Sequence, residues 1–207
     1  MTGLAVRTFL TMLVILDPIG VVPMFLALAG DREPRERRRI ARRAVLVAGG
    51  ILVSFALGGA WLLGRLGITL HAFRIAGGVL LFLFAMRMVL ARHERETREE
   101  ADEARGREDV SVFPLAIPII AGPGAIASVL ILAGEARAIP FGVPIVLLMT
   151  AIVLVLCLMA LEMSDLVGRL LGQTGTNVVT RVLGVLLAAL AVQYIADGVR
   201  GLLSGAA

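Results

Sequence analysis

The stretch Phe113-Pro-Leu-Ala-Ile-Pro-Ile-Ile-Ala-Gly-Pro-Gly-Ala-Ile-Ala-Ser128 decides how this chain is read. It is apolar enough to enter a bilayer, yet it carries Pro114, Pro118 and Pro123 together with Gly122 and Gly124. Proline removes a backbone donor and clashes with the preceding turn, so one unbroken helix is excluded. Irregular backbone at membrane depth survives only where protein or a cavity covers the freed polar groups. The first half of the chain holds a counterpart, Leu16-Asp-Pro-Ile-Gly-Val-Val-Pro-Met24. Interrupted apolar segments at corresponding places in two halves point to a binding site near the membrane midplane.

Composition agrees with a membrane setting. Of 207 residues 58% are hydrophobic, and the mean hydropathy is +0.93. A soluble domain of this length could not bury that much apolar surface. The isoelectric point of 10.8 invites a nucleic-acid reading. The basic residues, all arginine, instead cluster in short connections between apolar runs, as topology signals do, so no nucleic-acid partner is expected. Cys157 is the single cysteine, which excludes an internal disulfide or a CxxC pair.

Six apolar runs follow one another, over residues 4–29, 44–63, 72–90, 112–133, 141–161 and 178–203. Each approaches or exceeds the roughly 20 residues that cross a hydrocarbon core of about 30 Å. The first run imitates a signal peptide, with Arg7 ahead of it and Ala27-Leu-Ala29 as a cleavage-like end. Asp17, Pro18 and Pro23 interrupt that core, and a matching segment lies mid-chain, so the run is expected to stay and span.

The two halves repeat. Arg74-Ile-Ala-Gly77 matches Arg181-Val-Leu-Gly184, Gly64-Arg-Leu-Gly67 matches Gly168-Arg-Leu-Leu-Gly172, and Leu28-Ala-Gly-Asp31 matches Leu132-Ala-Gly-Glu135. Three matches in order predict an all-α integral membrane protein of six transmembrane helices, arranged as an inverted 3+3 repeat with helices 1 and 4 discontinuous. The expected division is residues 1–90, a charged linker over 91–110, and 111–207. Connections one, three and five carry fourteen arginines against five on the other side, which places them in the cytoplasm and both termini outside. Arg87, near the end of the third run, is expected to snorkel to the interface. Gly50, Ser54 and Gly58 share one helix face and are expected to pack inside the monomer.

Chemistry concentrates at the breaks. Asp17 and Gly122 are acceptable N-caps, and Pro18 and Pro123 suit a first helical position. New half-helices are therefore expected from Pro18 and Pro123, running in opposite directions from the midplane. Each N-terminus presents free N–H groups and about half a positive charge, which favours a carboxylate. The half-helices that end nearby leave carbonyl oxygens for an ammonium group or a cation. The expected site comprises Asp17, Pro18, Gly20, Pro23, Pro118, Gly122, Pro123, Gly124 and Ser128. Enlarging Gly124 is expected to block this site more than it harms the fold. Asp17 has two open readings, a proton carrier and a simple cap. Glu162, Asp165 and Asp197 are expected at the interface, while Gln193 and Tyr194 are rare polar groups in the last run.

These residues resemble the MarC family, which includes SnatA-type neutral amino acid transporters. The resemblance rests on Asp17-Pro18 with Leu26-Ala-Leu-Ala-Gly30, Leu70-His-Ala-Phe-Arg-Ile-Ala-Gly-Gly78, Phe113-Pro-Leu-Ala-Ile-Pro118, Ala121-Gly-Pro-Gly124 and Arg181-Val-Leu-Gly184. It covers nearly the whole chain. It implies a six-span protein of the bacterial or archaeal plasma membrane that takes up glycine, alanine and similar amino acids with H+ or Na+. Asp17 departs from the family's usual asparagine before the proline.

Other classes fare worse. His93-Glu-Arg-Glu-Thr97 begins like a zinc-protease motif but has threonine where the second ligand belongs. His71 and His93 are the only histidines, so neither a metal nor a cofactor is expected, and no enzyme activity. An exporter of a small metabolite or drug is the alternative, although only ten aromatic residues are present to line a drug cavity. A non-transporting scaffold would need no duplicated break.

Overall fold

The computed structural model describes residues 1–90 and 110–205. The charged connection 91–109, with its His93 motif, lies outside the described residues. Every regular element among the described residues is helical: α1 (Thr2–Leu16), α2 (Val21–Ala29), α3 (Pro34–Arg65), α4 (Leu70–Val89), α5 (Ser111–Ile120), α6 (Pro123–Ala136), α7 (Gly142–Glu162) and α8 (Ser164–Leu203).

Local chemistry sets most of the ends. Pro34 opens α3 behind an extended Glu33, and the Thr69 hydroxyl caps α4 by accepting the Ala72 N–H at 3.1 Å. The basic stretch Arg35 to Arg43, expected as a connection, is the first part of α3, because arginine and glutamate are good helix formers. The connection before the last run is helical too. It belongs to α8, which turns at Gly172 (φ 59°) and then runs straight from Thr174 to Leu203. Only glycine adopts that backbone angle without steric cost.

Helices α3, α4, α7 and the straight part of α8 are each long and apolar enough to cross a membrane. Two further pairs, α1 with α2 and α5 with α6, pass the same test together but are bent by 42° and 57°, so the count is four to six spans. The outer surface is apolar as well as the core. Leu46, Trp61, Leu148 and Val185 are all more than half exposed. Such large apolar exposure marks a surface that meets lipid.

Helix α6 is the axis of the bundle. From Gly124 to Ala133 only Ile126 is not fully buried, because α1, α3, α4 and α7 all pack around it. The most extensive helix pairing is α4 with α8, and glycines at the crossing allow it. A Cβ on Gly78 would lie 2.8 Å from the Ala191 carbonyl oxygen, and one on Gly184 would lie 2.9 Å from Met88 Cβ. Small residues at such crossings let backbones approach.

The stripe Gly50, Ser54 and Gly58 behaves differently from expectation. All three are exposed, no neighbour lies within 4 Å of where a Cβ would sit on Gly50 or Gly58, and Ser54 Oγ donates to its own helix at Gly50 O, 2.8 Å away. The stripe points outward because the Ala44, Ala48, Leu52 and Ala56 face of α3 is the one turned to the core.

Charged pairs close one end of the bundle. Arg37 donates to Asp165 at 2.9 Å and to Ser164 Oγ at 2.7 Å, and Arg42 donates to Glu162 at 2.8 Å. These pairs bind the start of α3 to the junction of α7 and α8, with Glu162 and Asp165 at helix ends.

A cavity between two helix breaks

The first break is built around Asp17. Helix α1 ends at Leu16, and Asp17 takes a left-handed conformation (φ 38°, ψ 69°) with its N–H donated to Leu13 O at 3.1 Å. Aspartate tolerates that region better than bulkier residues. Its carbonyl accepts the Val21 N–H at 3.1 Å, and its Oδ1 accepts the Gly20 N–H at 3.0 Å. One residue thus closes the end of α1 and caps the turn that leads into α2. From α8, Thr180 Oγ1 donates to the other carboxylate oxygen at 3.1 Å. Asp17 is only 6% exposed, yet a carboxylate has about four acceptor sites and these two donors leave room for a further partner.

Regular α2 begins at Val21, three residues later than the expected Pro18. The Asp17 carboxylate draws the Gly20 N–H back and holds residues 18–20 as a turn. Pro18 sits in that turn and Pro23 faces outward in the first turn of α2, so neither lines the site. Gly20 leaves no space for a side chain: a Cβ there would fall on the Asp17 carboxylate and 2.9 Å from Thr180 Oγ1.

The second break is irregular for longer. Phe113 and Ile117 are extended and each precedes a cis proline. The hydrogen bonds of α5 are wide, reaching back five residues: Ala121 N–H to Ala116 O at 2.8 Å and Leu115 N–H to Val110 O at 3.4 Å. Gly122 is the extended N-cap of α6, and Pro123 is its first residue, as expected. The N–H groups of Gly124 and Ala125, in the first turn of α6, have no partner within the helix.

Both breaks open onto one cavity of about 300 Å³. Asp17 and Gly20 line it from one side, and Pro118, Gly122, Pro123 and Gly124 from the other. Six of the nine residues expected at the site therefore meet. The electrostatics differ from expectation in one respect. The α2 terminus is already satisfied by Asp17, so only α6 presents unpaired N–H groups.

Helix α4 supplies the third wall with Leu80, Leu83, Phe84 and Arg87. Arg87 therefore faces the cavity and is not merely an interfacial anchor. Sequence reasoning also missed Thr180, the residue just before the Arg181 motif. Ser128 lies outside the cavity wall, one turn along α6, fully buried. Gly124 contributes backbone only. A Cβ on it would lie 2.8 Å from Leu81 Cδ2, so enlarging it would disturb the α4 contact before it filled the cavity. Among the described residues no three His, Cys, Asp or Glu side chains are placed to hold a metal ion.

A bundle that is apolar outside, with four to six segments able to cross a membrane and a carboxylate and an arginine on an otherwise largely apolar internal cavity, is a multi-pass integral membrane protein. The chain belongs to the MarC family of integral membrane proteins, whose profile matches residues 3–203. It is 38% identical over 202 residues to a UPF0056 membrane protein of Methanocaldococcus jannaschii, covering 96% of this chain and 97% of the relative. A Bacillus subtilis UPF0056 membrane protein is 35% identical over 211 residues, covering 98% and 97%. One from Escherichia coli is 33% identical over 204 residues, covering 96% and 93%. No solved structure matches.

Proposed function

We propose that this protein is a secondary transporter of small neutral amino acids, such as glycine and alanine, in the plasma membrane. The observation that carries this reading is the shared cavity, where a buried carboxylate faces the open N-terminus of α6. A zwitterion fits that pairing, its ammonium toward Asp17 and its carboxylate toward the Gly124 and Ala125 N–H groups. The volume is at the small end of ordinary ligand sites, which run from about 300 to 1,000 Å³. Such a site binds and releases its ligand unchanged, so no enzyme activity is part of the reading.

The arrangement goes with an inverted repeat. Residues 1–90 and 111–207 each contribute a bent pair followed by two long helices. With each bent pair as one discontinuous span, three spans per half set the halves in opposite orientation and bring the breaks to equal depth. Rocking of one half against the other would then expose the cavity to either side. A proton or sodium ion is the natural co-substrate, with Asp17 as its contact.

The test is uptake of radiolabelled alanine into proteoliposomes under an imposed proton or sodium gradient. Gradient-driven accumulation is expected, with unlabelled alanine competing and alaninamide competing poorly. Absence of accumulation under both gradients and in both directions of loading would remove the transport reading.

A further inference from the structure

Away from the cavity, polar groups from four helices converge at the end of the bundle where α1 and α4 begin and α6 and α8 finish. Glu135 of α6 accepts from Arg7 of α1 at 2.8 Å and from Arg74 of α4 at 2.5 Å. The Arg74 and Glu135 side chains are 13% and 21% exposed. Tyr194 of α8 is fully buried, within the field of all three charges and beside Ser128 of α6. The Thr8 hydroxyl, on the residue after Arg7, and Arg74 Nε are buried without a hydrogen bond, and the buried Ser128 and Tyr194 hydroxyls have only a loose pairing with each other. Buried polar atoms are rarely left unpaired, and a group of them calls for an explanation.

Every one of these atoms can donate a hydrogen bond. The cluster also carries one net positive charge, two guanidinium groups against one carboxylate. Guanidinium groups match carboxylates in shape and hydrogen-bond geometry. We propose that Arg7, Arg74, Ser128 and Tyr194 form a second site, for a small free carboxylate, which Glu135 occupies until the ligand's carboxylate displaces it. Glu135 lies eleven residues past Gly124, about 16 Å along the axis of α6, so this site is separate from the cavity. Along α6 Ser128 lies between the two, four residues past Gly124 and seven before Glu135, with Tyr194 beside it. Only the ligand class, a small amino acid, rests on the transport reading; the site itself rests on the geometry.

The experiment is thermal unfolding of the purified full chain in detergent, titrated with sodium acetate, alanine, alaninamide or sodium chloride at constant ionic strength. Acetate and alanine should raise the midpoint, and alaninamide and chloride should not. Glu135→Gln removes the internal competitor and should lower the half-saturating acetate concentration about tenfold, the size of one charge-assisted hydrogen bond. Arg74→Gln should abolish the response. Ser128→Ala and Tyr194→Phe delete buried hydroxyls that are only loosely paired, so they should keep or raise the ligand-free midpoint and still weaken the acetate response. These two variants decide the matter if Glu135→Gln does not fold.

The proposal is overturned if Glu135→Gln responds no better than the natural protein, or if chloride or alaninamide stabilises equally well. It is also overturned if Ser128→Ala and Tyr194→Phe lower the ligand-free midpoint with the acetate response intact, since the hydroxyls would then be structural. Asp17→Asn should leave the acetate response in place. A protein that fails to transport but keeps that response sinks the transport reading and spares this site; uptake without the response does the reverse.

Discussion

At the residue scale, Asp17 concentrates the most chemistry in the fewest atoms. Its backbone N–H ends α1, its carbonyl and Oδ1 start the next turn, and its Oδ2 holds Thr180 of α8. The two readings open from sequence, cap and proton carrier, are therefore not alternatives, because capping leaves acceptor sites of the same carboxylate free. Asparagine caps as well as aspartate, so Asp17→Asn should fold with a loss of about 1 kcal/mol or less. Its alanine uptake should no longer respond to an imposed pH gradient, measured in proteoliposomes beside the natural protein. An unchanged pH profile would leave Asp17 as a cap alone. The carboxylate was legible in sequence because a charge before a proline inside an apolar run is conspicuous. Thr180 was not, since nothing local ties it to a residue 163 positions away.

At the scale of elements, proline chemistry is local and reads out well. Pro123 begins α6 as expected, and the irregular backbone of α5 falls among Pro114 and Pro118. The start of α2 was displaced because a side-chain hydrogen bond, Gly20 N–H to Asp17, outweighed the helix-starting tendency of Pro18. Gly124 shows the limit of such reading. Its presence was conspicuous, but the direction in which a side chain would grow is set by how α6 rotates against α4. The contact with Leu81 makes a quantitative expectation. Gly124→Ala should destabilise by about 1–3 kcal/mol through overpacking. Combined with Leu81→Ala it should cost less than the sum of the two, with a coupling of about 1 kcal/mol. Denaturation of the four proteins in the cycle checks this, and strict additivity would mean that the α4–α6 approach is looser than described.

At the scale of the whole molecule, arginine distribution and packing concern the same two ends. Arg37 and Arg42 bind carboxylates at the end where α3 begins, and Arg7 and Arg74 share Glu135 at the other. The rule that basic connections stay inside predicts the richer end in the cytoplasm. A phosphatase fused to the C-terminus should therefore be active outside the cell. Activity there from a cytoplasmic reporter alone would reverse the orientation.

The amino-acid sequence alone determined the membrane class, the six apolar runs and the place of both breaks. Each depends on properties that add up along the chain: hydropathy over a span of about 20 residues, and the missing proline N–H. Tertiary structure alone decided which polar atoms meet. Arg87 turns to the cavity, the Gly50 stripe turns away from the core, and Glu135 joins Arg7 across 128 positions. A helix apolar on every face carries no stripe that says which side is inward. Its rotation follows from the close contacts of its neighbours, and those exist only once the bundle has assembled.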